Sequence, residues 1–235
     1  MNASDSDIRL EGSVRRGRAE LLLAGAASVA LWYVPWLGYL VFPLKLFVTI
    51  VHEGCHGLAT VLTGGVVQGI AIHPDGSGVT ISDGGDAPII TMAGYLGAAL
   101  CGALALQLVR RRNGGSLACA VIGGGMLGIT LLWIRNGFGI AAGLVLGASI
   151  LASLRLRPAS VREFVGSFLC VQLCLNALFD LRDLVYLTTQ TNAPNDAVFM
   201  SERVGLTPAF WAGLWAVLAV AILGVGLRQF WSRPR

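Results

Sequence analysis

The chain has 235 residues, of which 55% are hydrophobic and 13% charged, and its formal net charge is +4 at pH 7. The charged share is about half that of a typical soluble domain, so a water-soluble domain, a disulfide scaffold and a disordered chain are excluded as the main content. The arginines lie in short stretches between apolar runs, as in loops at a membrane surface, and this pattern excludes nucleic acid as the expected partner.

The chain begins with a polar segment and continues as a series of apolar runs. We expect residues 1–20 to be a tail at the membrane surface and residues 21–235 to form a single integral-membrane domain. Because a membrane-spanning helix needs about 20 mostly apolar residues, the run Leu21–Phe42 predicts a first span. Further spans are predicted at Leu44–Leu62, Ile89–Val109, Leu117–Ile134, Phe138–Leu154, Phe164–Leu187 and Pro208–Leu227. The expected fold class is therefore an all-α polytopic membrane protein with six or seven transmembrane helices.

Two segments depart from this helical pattern. Residues 64–88 contain no Lys or Arg, alternate β-branched residues and carry a Pro- and Gly-rich turn signal at residues 74–78. They predict a short β-hairpin that pairs Val66–Ile72 with Val79–Ser82. The second segment, Thr188–Thr207, is polar and is predicted to be a connecting loop, in which Asp196 is solvated or caps a helix.

Two of the three histidines lie within one apolar run, in the sequence His52-Glu53-Gly54-Cys55-His56. Residues four apart lie on one face of a helix, so both imidazoles can bind a single ion. This HExxH spacing is typical of a zinc site in which the two histidines are ligands and the glutamate is the general base. Ionisable groups in a membrane helix are costly unless they are paired or ligated, which favours the metal site over an accidental match.

A catalytic zinc site usually has three protein ligands, so a third must come from elsewhere in the chain. Asp180 and Asp183 lie in the span Phe164–Leu187, and either carboxylate can complete the site. Asn176 precedes Asp180 by four residues, shares its helical face and is predicted to bind the substrate. The alternative for each aspartate is an ion pair with Arg182 near the membrane surface. His73, at the predicted turn, is expected to be solvated, with zinc ligation as its alternative.

At these residues the chain resembles the site-2 protease family of intramembrane zinc metalloproteases, in particular its small bacterial branch. The resemblance is carried by His52–His56, the Gly-rich β segment after it, Ala93–Gly97, and the Asp180 helix followed by Asn195-Asp196-Ala197. It covers most of the chain from Leu44 to Met200, but only the HExxH spacing is specific by itself.

The resemblance implies that His52, His56 and Asp180 bind zinc and that Glu53 is the catalytic base. Better-known members have prolines after the asparagine and a glycine after the ligand aspartate, whereas Ala177 and Leu181 stand here, so Asp183 stays the competing ligand. The implied activity is hydrolysis of a membrane-spanning protein or peptide substrate within the bilayer, in a bacterial cell membrane.

Substrate recognition in such a protein must come from the helices, the hairpin or a partner, which would be a second copy or a regulatory protein. We expect an unwound substrate segment to add as a strand to the free edge of the hairpin. The alternative function is a non-proteolytic membrane protein that keeps a structural or metal-handling zinc site. An ion transporter is a third possibility, although the paired inverted repeats typical of one are not evident in the sequence.

Overall fold

A computed structural model describes residues 19, 22–28, 30, 38–190 and 194–232. Apart from residue 19, the predicted tail lies outside the described residues, and so do residues 21, 29 and 31–37 of the predicted span Leu21–Phe42. From residue 38 onward the helices are α1 (Gly38–Leu62), α2 (Ala87–Val109), α3 (Gly114–Trp133), α4 (Gly137–Ala152), α5 (Ala159–Gln190), α6 (Asp196–Val204) and α7 (Pro208–Trp231). Strands β1 (Val66–Ile72) and β2 (Gly78–Asp83) lie between α1 and α2.

The helices confirm the predicted class of polytopic membrane protein. Within the described ranges, five segments are long and apolar enough to cross a membrane: α2, α3, α4 with the 3₁₀ turn that follows it, α5 and α7. Each corresponds to a predicted span, with ends that differ by a few residues. Helix α1 is 25 residues long but carries Lys45 and the HExxH residues, and it is not among the five.

The predicted hairpin is present, and β2 is one residue longer at each end than expected. The two strands are antiparallel, with Ile72 opposite Gly78 and Ile70 opposite Thr80, and a register shift lies between Val67 and Gly69. The turn of the hairpin lies against α1, where Lys45 Nζ donates to the Asp75 carbonyl at 2.9 Å. The hairpin therefore runs back along α1, beside the HExxH residues.

The outer edge of β1 is closed by the segment between α3 and α4. Arg135 N donates to the Ile70 carbonyl at 2.9 Å. The Asn136 side chain then pairs with the backbone of Ile72, donating through Nδ2 at 2.7 Å and accepting through Oδ1 at 3.0 Å. This amide takes the place of a third strand, so that β2 carries the open edge of the sheet.

The segment Thr188–Thr207, predicted to be a loop, contains helix α6. Asn195 is the N-cap, and its Oδ1 accepts from the backbone N–H groups of Ala197 and Val198 at 3.0 and 3.1 Å. The cap is thus one residue before Asp196. Helix α6 is fixed by burial of Ala197 and Met200 in a core cluster with Trp215 of α7, because apolar contacts outweigh the polar composition of the segment.

Candidate metal centre

Three possible ligand atoms meet between α1 and α6. The Nε2 atoms of His52 and His56 are 3.1 Å apart, and Asp196 Oδ2 lies 3.5 Å from the first and 3.4 Å from the second. One turn of α1 brings the two imidazoles together, and the start of α6 supplies the carboxylate. In the part of the chain that the structure describes, this is the group of residues able to hold a metal ion.

The dimensions of this triangle fit a tetrahedral zinc site. Zinc binds imidazole nitrogen and carboxylate oxygen at about 2.0–2.1 Å. Ligand atoms at those distances and at tetrahedral angles are about 3.3–3.4 Å from one another. The observed separations of 3.1, 3.5 and 3.4 Å bracket this value. The donor set of two imidazoles and one carboxylate also leaves a fourth position for water, as catalytic sites require.

The tautomer of His56 and the charge of Asp196 suit ligation. His56 Nδ1 is 2.6 Å from the Ile90 carbonyl, and because a carbonyl only accepts, Nδ1 carries the proton and leaves the Nε2 lone pair available. Burial opposes ionisation of Asp196, but when the two imidazoles are protonated, their hydrogen bonds to its carboxyl hold its pKa below the ordinary value. Asp196 is therefore an anion at neutral pH.

Helix α2 forms the wall behind the histidines through the segment Ala93–Gly97. A methyl group at Gly94 would overlap the Nε2 atoms of both His52 and His56, so only glycine leaves room at this position. The Tyr95 ring meets His52 edge-on at 4.7 Å between ring centroids and stacks on Trp215 at 5.9 Å. The orientation of His52 is thus supported from both α2 and α7.

A cavity of about 880 Å³ adjoins the triangle and holds most of the residues singled out in the sequence. Glu53, which is only 6% exposed, lines it from α1. Helix α5 contributes Asn176, Asp180 and Asp183 to the cavity wall, and β2 contributes Gly78, Val79, Thr80 and Ser82. The Glu53 carboxylate, the candidate metal centre and the open edge of β2 therefore face one space.

The residue that joins the histidines differs from the sequence expectation. Asp180 lines the cavity but is not part of the ligand triangle, and Asp196 occupies that place. Asp183 is exposed and forms an ion pair with Arg182 at 2.7 Å, which is the alternative to metal ligation given in the sequence analysis. Asn176 is buried, with Nδ2 donating to the Gln172 carbonyl at 2.9 Å. His73 is exposed at the turn, as expected.

One sequence signal pointed to Asp196. The triplet Asn195-Asp196-Ala197 is part of the family resemblance, and Asn followed by Asp is typical of a helix start. The rule that carboxylates within a membrane helix are functional favours Asp180 instead, because Asp196 lies outside the predicted spans.

Fold and site together define a polytopic membrane protein with a candidate metal centre buried among its helices. A family model described as Peptidase M50B-like matches residues 22–226, and the chain belongs to this family. The resemblance to site-2 proteases is thereby confirmed, and the family implies a membrane-embedded, metal-dependent peptidase. Comparisons with curated proteins and with solved structures gave no match.

Proposed function

We propose that this protein is an intramembrane zinc metalloprotease that hydrolyses peptide bonds of membrane-embedded protein or peptide substrates. The observation that carries the proposal is the triangle of His52 Nε2, His56 Nε2 and Asp196 Oδ2, whose sides match a tetrahedral zinc site. These three residues would hold the ion. Asp180, the third ligand expected from the sequence, would instead form part of the substrate-facing wall from α5.

The buried carboxylate of Glu53 would act as the general base. When bound, zinc supplies Lewis acidity to a water molecule and to the scissile carbonyl. Glu53 takes the proton from the attacking water and passes it to the leaving amine. A purely structural metal site has no need of such a base, and this favours hydrolysis over the metal-handling alternative.

The open edge of β2 would bind the substrate in extended form. Ile72 directs its N–H and C=O toward Asn136 and away from β2, so its partner Gly78 directs its own backbone groups away from β1. Thr80, two residues further on, does the same. A substrate strand added here would lie in the cavity beside Glu53. Asn176, which lines the same cavity from α5, would accept a substrate N–H through Oδ1.

The proposal is tested by cleavage of a model single-span substrate in detergent by the wild-type protein and by Glu53→Gln. We expect Glu53→Gln to lower kcat at least about 100-fold, because general-base catalysis contributes about 10²–10⁴-fold. Glu202→Gln, which changes an exposed glutamate, is the matched control and should retain full activity. Equal turnover by wild type and Glu53→Gln would refute the enzyme assignment. Bound zinc without any turnover would support the metal-handling alternative.

A further inference from the structure

A row of contacts joins β2 to α1 on the side of the hairpin that faces the helix. Thr49 Oγ1 donates to the Gly76 carbonyl at 2.9 Å, and Thr60 Oγ1 lies 2.6 Å from Ser82 Oγ. Between these two contacts, Thr80 Oγ1 donates to Glu53 Oε2 at 2.6 Å. The position of the strand along α1 therefore places the Thr80 hydroxyl against the proposed general base.

The bond from Thr80 is important because Glu53 has few other restraints. Among the described residues, no other side chain donates a hydrogen bond to this carboxylate. Thr80 Oγ1 also lies 3.1 Å from the Glu53 carbonyl oxygen, so the hydroxyl contacts both the side chain and the backbone of Glu53. With Oε2 occupied, Oε1 is the oxygen left to accept a proton from water.

Gly78 restricts the same carboxylate by shape. A methyl group at Gly78 would lie 2.6 Å from Glu53 Cγ and 2.8 Å from Oε1. The strand backbone thus passes directly over the side chain and limits its rotamers, while Thr80 fixes the remaining rotation of the carboxylate. A hydrogen bond that holds a catalytic group in one orientation avoids reorganisation during the reaction.

We propose that Thr80 is a positioning residue, whose hydroxyl holds Oε2 of Glu53 so that Oε1 faces the reacting water. This inference rests on the proposed function. Thr80 also directs its backbone toward the open edge of β2, so the residue that orients the base belongs to the strand that would bind the substrate. Thr80 would therefore bind the substrate through its backbone and orient Glu53 through its side chain.

The test compares Thr80→Val, which keeps the side-chain shape but removes the hydroxyl, with Thr80→Ser, which retains it. Thr60→Val is the matched control, since it removes a hydroxyl contact of the same 2.6 Å length between α1 and β2 that does not touch Glu53. We expect Thr80→Val to lower kcat about tenfold or more, with KM and bound zinc unchanged. Thr80→Ser should restore kcat to within about threefold, and Thr60→Val should lower it no more than about twofold.

A spectroscopic measurement tests the contact between Thr80 and Glu53 without relying on enzymatic activity. The chain contains five glutamates, so the ¹³C-carboxyl resonance of Glu53 can be assigned by its loss in Glu53→Gln. We expect this resonance to shift in Thr80→Val, to return in Thr80→Ser and to be unaffected in Thr60→Val. An unshifted resonance or an unchanged kcat in Thr80→Val would overturn the positioning role. Failure of the proposed function itself would show separately, as equal turnover by wild type and Glu53→Gln.

Discussion

Asp196 reaches the two histidines because its neighbours fix the start of a short helix. Asn195 caps the first turn of α6 through two hydrogen bonds, and Ala197 and Met200 are almost fully buried against α7 and its surroundings. Asp196 is the residue between the cap and the first buried contact, so its carboxylate is directed toward α1 with little freedom. The third proposed ligand is thus as well supported as the two histidines.

Removal of the Asp196 carboxylate should weaken zinc binding. Asp196→Ala should bind zinc at least about 100-fold more weakly than wild type, because it removes one of three protein ligands. Asp180→Ala is the matched control, since it removes a carboxylate from the same cavity outside the triangle. Zinc content after purification and dialysis gives the comparison. If Asp180→Ala lost its zinc and Asp196→Ala kept it, the ligand would be the one expected from the sequence.

Sequence reasoning identified those residues of the candidate site that lie close together along the chain. His52, Glu53 and His56 follow from the geometry of a single helix turn. The choice between Asp180 and Asp196 depends on tertiary packing, because Asp196 approaches α1 only through burial of α6 against α7. The role of Thr80 was equally hidden, since it depends on the register of β2 along α1.

At the scale of elements, the hairpin contributes most to the proposed chemistry. One edge is closed by Arg135 and Asn136, and the other lines the cavity. The hairpin was predictable because alternating residues and a Pro- and Gly-rich turn are local signals. Helix α6 was missed because nine residues with a polar composition give little periodicity, and a cap alone did not outweigh it.

The open edge gives a prediction for the substrate. In a synthetic peptide that the protein cleaves, N-methylation of single backbone amides near the scissile bond should slow cleavage at alternate residues. The reason is that only every second residue of an added strand directs its N–H toward β2. Each sensitive position should cost about two- to tenfold in kcat/KM. Sensitivity without a period of two, or no sensitivity, would contradict binding by strand addition.

At the scale of the whole molecule, the metal centre joins two parts of the core. One cluster lies mainly among α1, the hairpin, α3 and α4, with parts of α2 and α5 and the end of α7. The other gathers α6 and most of α7 with parts of α2 and α5. His52 and His56 belong to the first part of the fold and Asp196 to the second. Bound metal would therefore act as a cross-link between distant parts of the chain.

Metal removal should loosen α6 selectively. Arg203 is exposed near the end of α6, and Arg111 is exposed in the connection between α2 and α3. We expect chelation to speed tryptic cleavage after Arg203 several-fold and to leave cleavage after Arg111 unchanged. The reason is that metal at about 1,000 times its Kd stabilises the bound form by about 4 kcal/mol. Equal acceleration at both arginines, or none at Arg203, would show that the metal does not hold α6.

The two edges of the hairpin bear on whether copies of this protein aggregate through strand pairing. A strand with unpaired N–H and C=O groups is a template for aggregation with other chains. Here the Asn136 amide covers one edge, and the other edge, on β2, lines the cavity. A neighbouring copy would therefore have to pair with β2, at the same edge that the proposed substrate strand would occupy.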